Sequence, residues 1–256
     1  MNDITTIPAL GDNYIYLYCY SQNRAIAVDP CQGRPVLNEL ENKGLNLTSI
    51  FVTHHHRDHR GGIKELKDAI GCEVLCFDKS RIPEITTELT DGQIVELGRE
   101  KLKANFTPGH TRDSACFHLL PSEKHRGGIL WTGDTLFVGG CGRIFECPAE
   151  VMWDSLCKLS AFAGDTLVYC GHNYAVENFK FSLSIEPENK KVKKRLEEAI
   201  DADNKGEPTV PSSIEQELLT NIFLRSGALE ISEKLGMAGK SSAEVFRELR
   251  RRKDAF

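Results

Sequence analysis

The sequence predicts an α/β domain followed, without a low-complexity linker, by an all-helical one. Three observations carry that reading. Strand-length runs of apolar, β-branched and aromatic residues alternate with helical patterns as far as about residue 172. From residue 173 onward strand patterns vanish and helical ones dominate. Metal-capable residues recur where strand-like runs end, which is where a rigid sheet presents its loops. The expected units are therefore 1–172 for the chemistry and 173–256 for part of the recognition.

Taken in order, residues 14–20 (YIYLYCY) and 24–29 (RAIAVD) read as strands joined by Ser-Gln-Asn, a hairpin signal. A helix over 35–43 stops at Gly44, and Ser49-Ile50-Phe51-Val52 is a short strand that runs into histidines. Gly61-Gly62 opens a second helix that Gly71 closes. Short strands follow near 73–77, 93–97, 101–107, 115–120 and 129–132. The helix from Val151 to Phe162 offers Val151, Leu156, Leu159 and Phe162 to a core. Residues 166–170 form one more buried strand that ends near a histidine. Helices are then expected around 173–183, 188–204, 214–223, 226–235 and 242–252, with Pro208 and Pro211 interrupting them.

Composition sets the outer limits. With 256 residues, 40% hydrophobic and 27% charged, the chain can bury a core and is not of disordered type. No apolar run approaches the ~18–20 residues that cross a bilayer. A net charge of −5 speaks against general nucleic-acid binding. The start, Met1-Asn2-Asp3-Ile4, has an acid and no basic flank, unlike a targeting peptide, so the cytoplasm is the expected compartment. Nothing in the pattern demands more than a monomer. Nine cysteines are scattered through apolar runs and read as reduced buried thiols; a metal-binding or catalytic cysteine is the alternative, and Cys72 and Cys76 lack the second pair of a zinc knuckle. The basic run Arg247–Lys253 is a solvated helix face unless the fold sets it beside a cleft.

The chemistry concentrates in Thr53-His54-His55-His56-Arg57-Asp58-His59, where four of the chain's eight histidines fall in six positions. Burying so many ring nitrogens without ligands leaves them unsatisfied, and neutral imidazole is a common metal ligand. His54 and His56 alternate in an extended stretch and can face one ion, whereas His55 points to the opposite side. Asp58 and His59 lie where the chain turns into a helix and can face a second ion. Further ligands must come from later strand ends, and His110, Asp134 and His172 stand there, each beside glycine or proline turn chemistry. Singly, His110 and His172 also read as satisfied loop histidines and Asp134 as a turn former. His118 and His125 have no companions.

The motifs His54–His59, Gly109-His110-Thr111, Thr132-Gly133-Asp134-Thr135 and Gly171-His172 resemble those of the metallo-β-lactamase superfamily. More narrowly, the chain resembles the glyoxalase II, or hydroxyacylglutathione hydrolase, family over its whole length. Gly140-Cys141-Gly142-Arg143 with Phe145-Glu146, Gly171–Tyr174 and Arg250–Phe256 carry that narrower likeness. It implies a four-layer αββα sandwich with a C-terminal helical domain and a cleft holding two divalent ions, zinc first, with iron or manganese as alternatives. His54, His56 and His110 would hold one ion, Asp58, His59 and His172 the other, and Asp134 both. Arg143, Phe145, Tyr174, Arg250 and Lys253 would meet glutathione, whose carboxylates suit arginine's fork and lysine's point charge. Departures from the usual pattern are Phe145 where a tyrosine is common, Asp113-Ser114 for Gly-His, Asn173 for glutamate, Cys147 for glycine, and Arg57 at a variable position.

The implied reaction is hydrolysis of S-(2-hydroxyacyl)glutathione, typically S-D-lactoylglutathione, the second step of methylglyoxal detoxification. Asp58 and Asp134 are the expected catalytic carboxylates, Asp58 orienting the attacking water. Asp29 is expected either to orient a ligating histidine or simply to turn the chain at Asp29-Pro30. The alternatives are a one-iron glutathione persulfide dioxygenase on the same fold, a β-lactamase or nuclease relative, and a non-catalytic metal-binding protein. The basic helical tail favours the hydrolase over the dioxygenase.

Overall fold

The computed structural model describes residues 3–256; Met1 and Asn2, the start of the N-terminus read above as free of a targeting signal, lie outside them. The chain opens with an antiparallel meander of β1 (Ile4–Ala9), β2 (Asn13–Ser21) and β3 (Arg24–Val28). It crosses through α1 (Gly33–Lys43) to β4 (Asn46–Phe51), then through α2 (Arg57–Arg60) and α3 (Ile63–Ile70) to β5 (Glu73–Cys76) and β6 (Thr87–Glu88). From β3 to β6 the pairing is parallel, giving a first sheet in sequence order. Helices α1 and α3 end at the expected glycines: Gly44 and Gly71 sit at φ +62° and +76° and return their N–H groups to helix carbonyls.

The second sheet begins as antiparallel β7 (Ile94–Leu97), β8 (Glu100–Phe106), β9 (Ala115–Leu119) and β10 (Ile129–Gly133). A small hairpin, β11 (Leu136–Phe137) with β12 (Gly140–Cys141), and helix α4 (Ala149–Ser160) lead to β13 (Leu167–Cys170), parallel to β10. Then come α5 (Ala175–Ile185), α6 (Lys190–Lys205), β14 (Ser212–Ser213), α7 (Ile214–Thr220), α8 (Leu229–Lys234) and α9 (Ser242–Asp254). The expectation that strands cease at 173 needs correcting here. β14 pairs antiparallel with β13 and forms the outer edge of the second sheet, and its two serines give no apolar run from which to read it.

Period-two alternation sorts β2 between two cores. Tyr14, Tyr16 and Tyr18 face the second sheet, while Ile15 and Leu17 face α1 and α3 with Val36, Leu40, Ile63 and Leu66. Between the sheets, Phe51 meets Phe117 edge-on at 5.1 Å and Tyr16 meets Tyr169 at 5.3 Å. The outer face of the second sheet, with Leu130 and Val168, packs on Met152, Leu156 and Leu159 of α4 and on Phe181, Phe223, Phe246 and Leu249 of the helical part. The layers are therefore α, β, β, α. In α4 the rotation of the helix puts Met152 inside and leaves Val151 half-buried, contrary to the expectation for Val151, while Phe162, just past the helix, is half-buried and packs against the core as expected. The cysteines are all free thiols. No helix among the described residues is long and apolar enough to cross a membrane.

Candidate metal centre and substrate cleft

One rim of the two sheets collects the chemistry. Asp29 follows β3, residues 54–59 follow β4, His110 follows β8, Asp134 follows β10 and His172 follows β13. The segments approach so closely that several glycine positions admit no side chain. A Cβ on Gly133, which also sits at φ +47°, would lie 2.4 Å from Thr53 Oγ1. One on Gly171 would lie 2.5 Å from Asp134 Oδ1 and 2.7 Å from His59 Cε1.

The ring nitrogens face inward in two groups. His56 Nδ1 lies 3.1 Å from His54 Nε2 and 3.1 Å from His110 Nε2. His59 Nε2 and His172 Nε2 lie 3.1 Å apart, with Asp58 Oδ2 at 3.8 Å from the first and 3.5 Å from the second. Asp134 stands between the groups: Oδ2 is 3.4 Å from His110 Nε2, and Oδ1 is 3.3 Å from His59 Nε2 and 3.5 Å from His172 Nε2. The outward nitrogens are committed elsewhere. His110 Nδ1 donates to the Arg143 carbonyl at 2.8 Å, His59 Nδ1 to Asp29 Oδ2 at 2.9 Å and His172 Nδ1 to Asp12 Oδ1 at 2.9 Å. These acceptors fix the rings so that Nε2 of all three points inward.

Ring nitrogens converging at 3.1 Å fit a cation between them, and so does Asp134 Oδ1, a buried carboxylate oxygen with no hydrogen-bond partner among the described residues. The electrostatics agree. Burial, reinforced by neighbouring imidazoles, holds His54 well below the ordinary histidine range, and burial lowers His56 and His110 as well, so these rings are neutral and ready to ligate. For His59 burial pulls down, but the Asp134 and Asp29 carboxylates outweigh it and lift the ring well above its usual value; Asp134 does the same for His172. Burial opposes ionisation of Asp134, yet His59 and His172 hold its carboxyl well below the usual range. A cation held between these groups would take the place of the protons that His59 and His172 favour beside Asp134.

The structure brings together all seven candidate ligands and lines one cleft, of about 770 Å³, with all five candidate substrate contacts. Phe145 is 59% exposed and lays its ring edge-on against His56 at 5.7 Å and His110 at 5.2 Å. Tyr174 stacks flat on His172, centroids 4.9 Å apart. Arg143 is exposed. Arg250, by contrast, is nearly buried and already engaged: it donates to the Cys141 carbonyl at 2.8 Å, pairs with Asp254 at 2.8 Å and lies over Phe223. Lys253 donates to the Glu177 carbonyl at 3.0 Å and sits over the rings of Phe181 and Phe256. The basic terminal run does therefore flank a cleft, although Arg251 and Arg252 turn to Glu248.

Of the two readings of Asp29, geometry favours the orienting one. Its Oδ1 accepts from Thr53 N at 2.8 Å and its Oδ2 from Thr53 Oγ1 at 2.7 Å as well as from His59. His55 does turn away from its neighbours, toward Asp113 at 2.8 Å. Sequence reasoning missed Asp12, which steadies His172, and Phe137, Lys180 and Phe256 of the cleft wall. Gly11-Asp12-Asn13 reads as any turn does, and helical periodicity alone does not reveal that Lys180 reaches a cleft.

Comparison with known proteins places the chain in a family. The model for the metallo-beta-lactamase superfamily matches residues 10–172, and that for the hydroxyacylglutathione hydrolase C-terminus matches 173–256. The chain is 43% identical over 259 residues to a hydroxyacylglutathione hydrolase of Methylococcus capsulatus, covering 100% of this chain and 99% of that one. It is 41% identical over 257 residues to one of Rhodospirillum rubrum, covering 99% and 98%. Among solved structures, ETHE1 from Myxococcus xanthus superposes with a TM-score of 0.67 at 24% identity, covering 97% of this chain and 89% of that one. The BLEG-1 B3 metallo-beta-lactamase does so with 0.63 at 20%, covering 86% and 99%. These two likenesses concern the fold, whereas the relatives share the sequence from end to end. The chain belongs to the hydroxyacylglutathione hydrolase family of the metallo-β-lactamase superfamily.

Proposed function

We propose that the cleft hydrolyses the thioester of S-(2-hydroxyacyl)glutathione, typically S-D-lactoylglutathione, to a 2-hydroxy acid and glutathione, the glyoxalase II reaction. The observation that carries this reading is the pair of inward-facing ligand groups sharing Asp134 at the head of a cleft that runs to the last helix. His54, His56 and His110 would hold one divalent ion, Asp58, His59 and His172 a second, and Asp134 both. Zinc is the first choice for these nitrogen and oxygen donors, with iron or manganese as alternatives. When bound, two such ions supply a nucleophile from water at neutral pH and polarise the thioester carbonyl.

The chain's own residues do the rest. The Asp58 carboxylate, 44% exposed and open to the cleft, is placed to accept a proton from the attacking water and orient it. Because thiolate is a good leaving group, no strong general acid is required. Phe145 on one side and Tyr174 on the other present aromatic walls beside the two ligand groups. Arg143 and Lys253 meet the anionic tripeptide, and Arg250 shapes the wall behind it through Cys141 and Asp254. We assign this recognition to residues 173–256 together with the 143–145 segment. The substrate is a small molecule, and the reading needs no second chain.

Steady-state hydrolysis of S-D-lactoylglutathione before and after chelation, with metal content measured on the same sample, tests the proposal. Chelator-sensitive turnover with close to two metals per chain is expected. Asp134→Ala should lose metal from both groups and with it nearly all turnover, of the order of 10³-fold. An Asp134→Ala variant with normal metal content and rate would refute the assignment. A fully metallated sample without turnover would overturn the substrate, and persulfide oxidation would be assayed next.

A further inference from the structure

A polar network outside the ligand set crosses the same rim. His55, between two candidate ligands, sets Nδ1 2.8 Å from Asp113 Oδ1. Arg81, from the segment between β5 and β6, places Nη1 2.7 and 2.8 Å from the two carboxylate oxygens of Glu146. The same nitrogen lies 3.1 Å from His55 Nδ1 and 3.6 Å from Asp113 Oδ1. Glu146 Oε2 also accepts the backbone N–H of Arg112 at 2.8 Å. His55, Asp113 and Glu146 offer atoms close enough together to surround a cation, and the Arg81 guanidinium is the cation that lies against all three. Arg81 and His55 belong to the first sheet's loops, Asp113 and Glu146 to the second's, so the network joins the two halves of the sandwich.

What the network holds is the irregular stretch between β12 and α4. Glu146 is the neighbour of Phe145, whose ring rests on His56 and His110 and whose N–H donates to the His110 carbonyl at 3.2 Å. Arg143, in the same stretch, gives its carbonyl to His110 and turns its side chain to solvent in the cleft. The stretch lies outside helix and ladder, so these contacts, with that of Arg112 Nε to the Glu146 carbonyl at 3.4 Å, fix its place.

We propose that Arg81 is a positioning residue: by gripping Glu146 it fixes the 143–146 segment, and through it Phe145 and Arg143, as the cleft wall against which the thioester binds. The inference rests on the reading of those two residues as substrate contacts. Each partner keeps only 25% of its side chain exposed, so the pair is half-buried and can hold the wall in place.

Arg81→Ala should raise KM for S-D-lactoylglutathione ~10-fold, with kcat changed less than ~3-fold and metal content unaltered. Arg81→Lys, which keeps the charge but not the fork, should fall between it and the parent. In a Phe145→Ala background, Arg81→Ala should add less than ~2-fold to KM, since both act on one wall. An unchanged KM in Arg81→Ala, an Arg81 effect undiminished in that background when Phe145→Ala itself raises KM, or loss of metal with the substitution would each overturn the proposal. Should Arg81→Ala fail to fold, Arg81→Lys and Glu146→Gln carry the same comparison. If Phe145→Ala alone leaves KM unchanged, the reading of Phe145 as a substrate contact falls. A raised KM in Arg81→Ala then still upholds the grip, acting through Arg143.

Discussion

Asp29 adopts a left-handed backbone conformation, φ +51°, in which an L-residue is at a disadvantage and aspartate is among the better tolerated. The cost is offset by what the geometry permits: one carboxylate reaches Thr53 N, Thr53 Oγ1 and His59 Nδ1 at once. It thereby fixes the start of the ligand loop and the tautomer of His59. Asp29→Ala should weaken metal affinity ~10–100-fold while the fold persists, as measured by competition with a chromophoric chelator. Unaltered affinity would reduce Asp29 to the turn former that Asp29-Pro30 also suggested. The candidate ligands themselves were legible because they crowd: four histidines in six positions leave little else for those rings to do. Asp12 and Arg81 were not. Their partners lie 160 and 65 residues away, and a single aspartate or arginine in a loop carries no sign of which distant group it will meet.

At the scale of elements, helix α9 carries Arg250 and Lys253 one turn beyond Phe246 and Leu249, on the side that enters the outer core together with Val245. Its start is closed by a capping box in which Ser241 Oγ accepts from Glu244 N and the Glu244 carboxylate accepts from Ser241 N. Ser241→Ala should cost about 1 kcal/mol, seen as a lower midpoint in urea with the slope unchanged. A midpoint equal to the parent's would show that packing alone fixes the helix. Such helices announced themselves in the sequence through periodicity and terminal glycines. The two-residue strands β6, β11, β12 and β14 did not, being defined by what they pair with and too short to show a period.

Over the whole molecule, stability should fall in mild acid for a reason apart from the metals. Burial pushes His118 down to about 4; it packs edge-on against Phe162 at 4.6 Å, and its Nε2 has no partner. Unfolded, the same ring titrates near 6.5, so between about 6.5 and 4 the unfolded chain binds more protons and stability declines as pH drops through that window. The decline amounts to at most about 3 kcal/mol from this residue. His118→Leu should flatten the limb between pH 6.5 and 4 in denaturation experiments on chelator-treated protein. An unchanged slope would assign that limb to other groups. That α5 to α9 follow β13 was readable because the pattern of hydrophobicity changes period near residue 173. It gave no hint that the helical part returns a strand to the sheet. That returned strand means the two parts are not separable goods. A fragment ending at residue 172 would bare the backbone of Leu167 and Val168 that Ser212 and Ser213 now cover. An uncovered strand margin of this kind is a template for other chains, so such a fragment should add itself to its neighbours more readily than the whole chain, in which β14 fills that place.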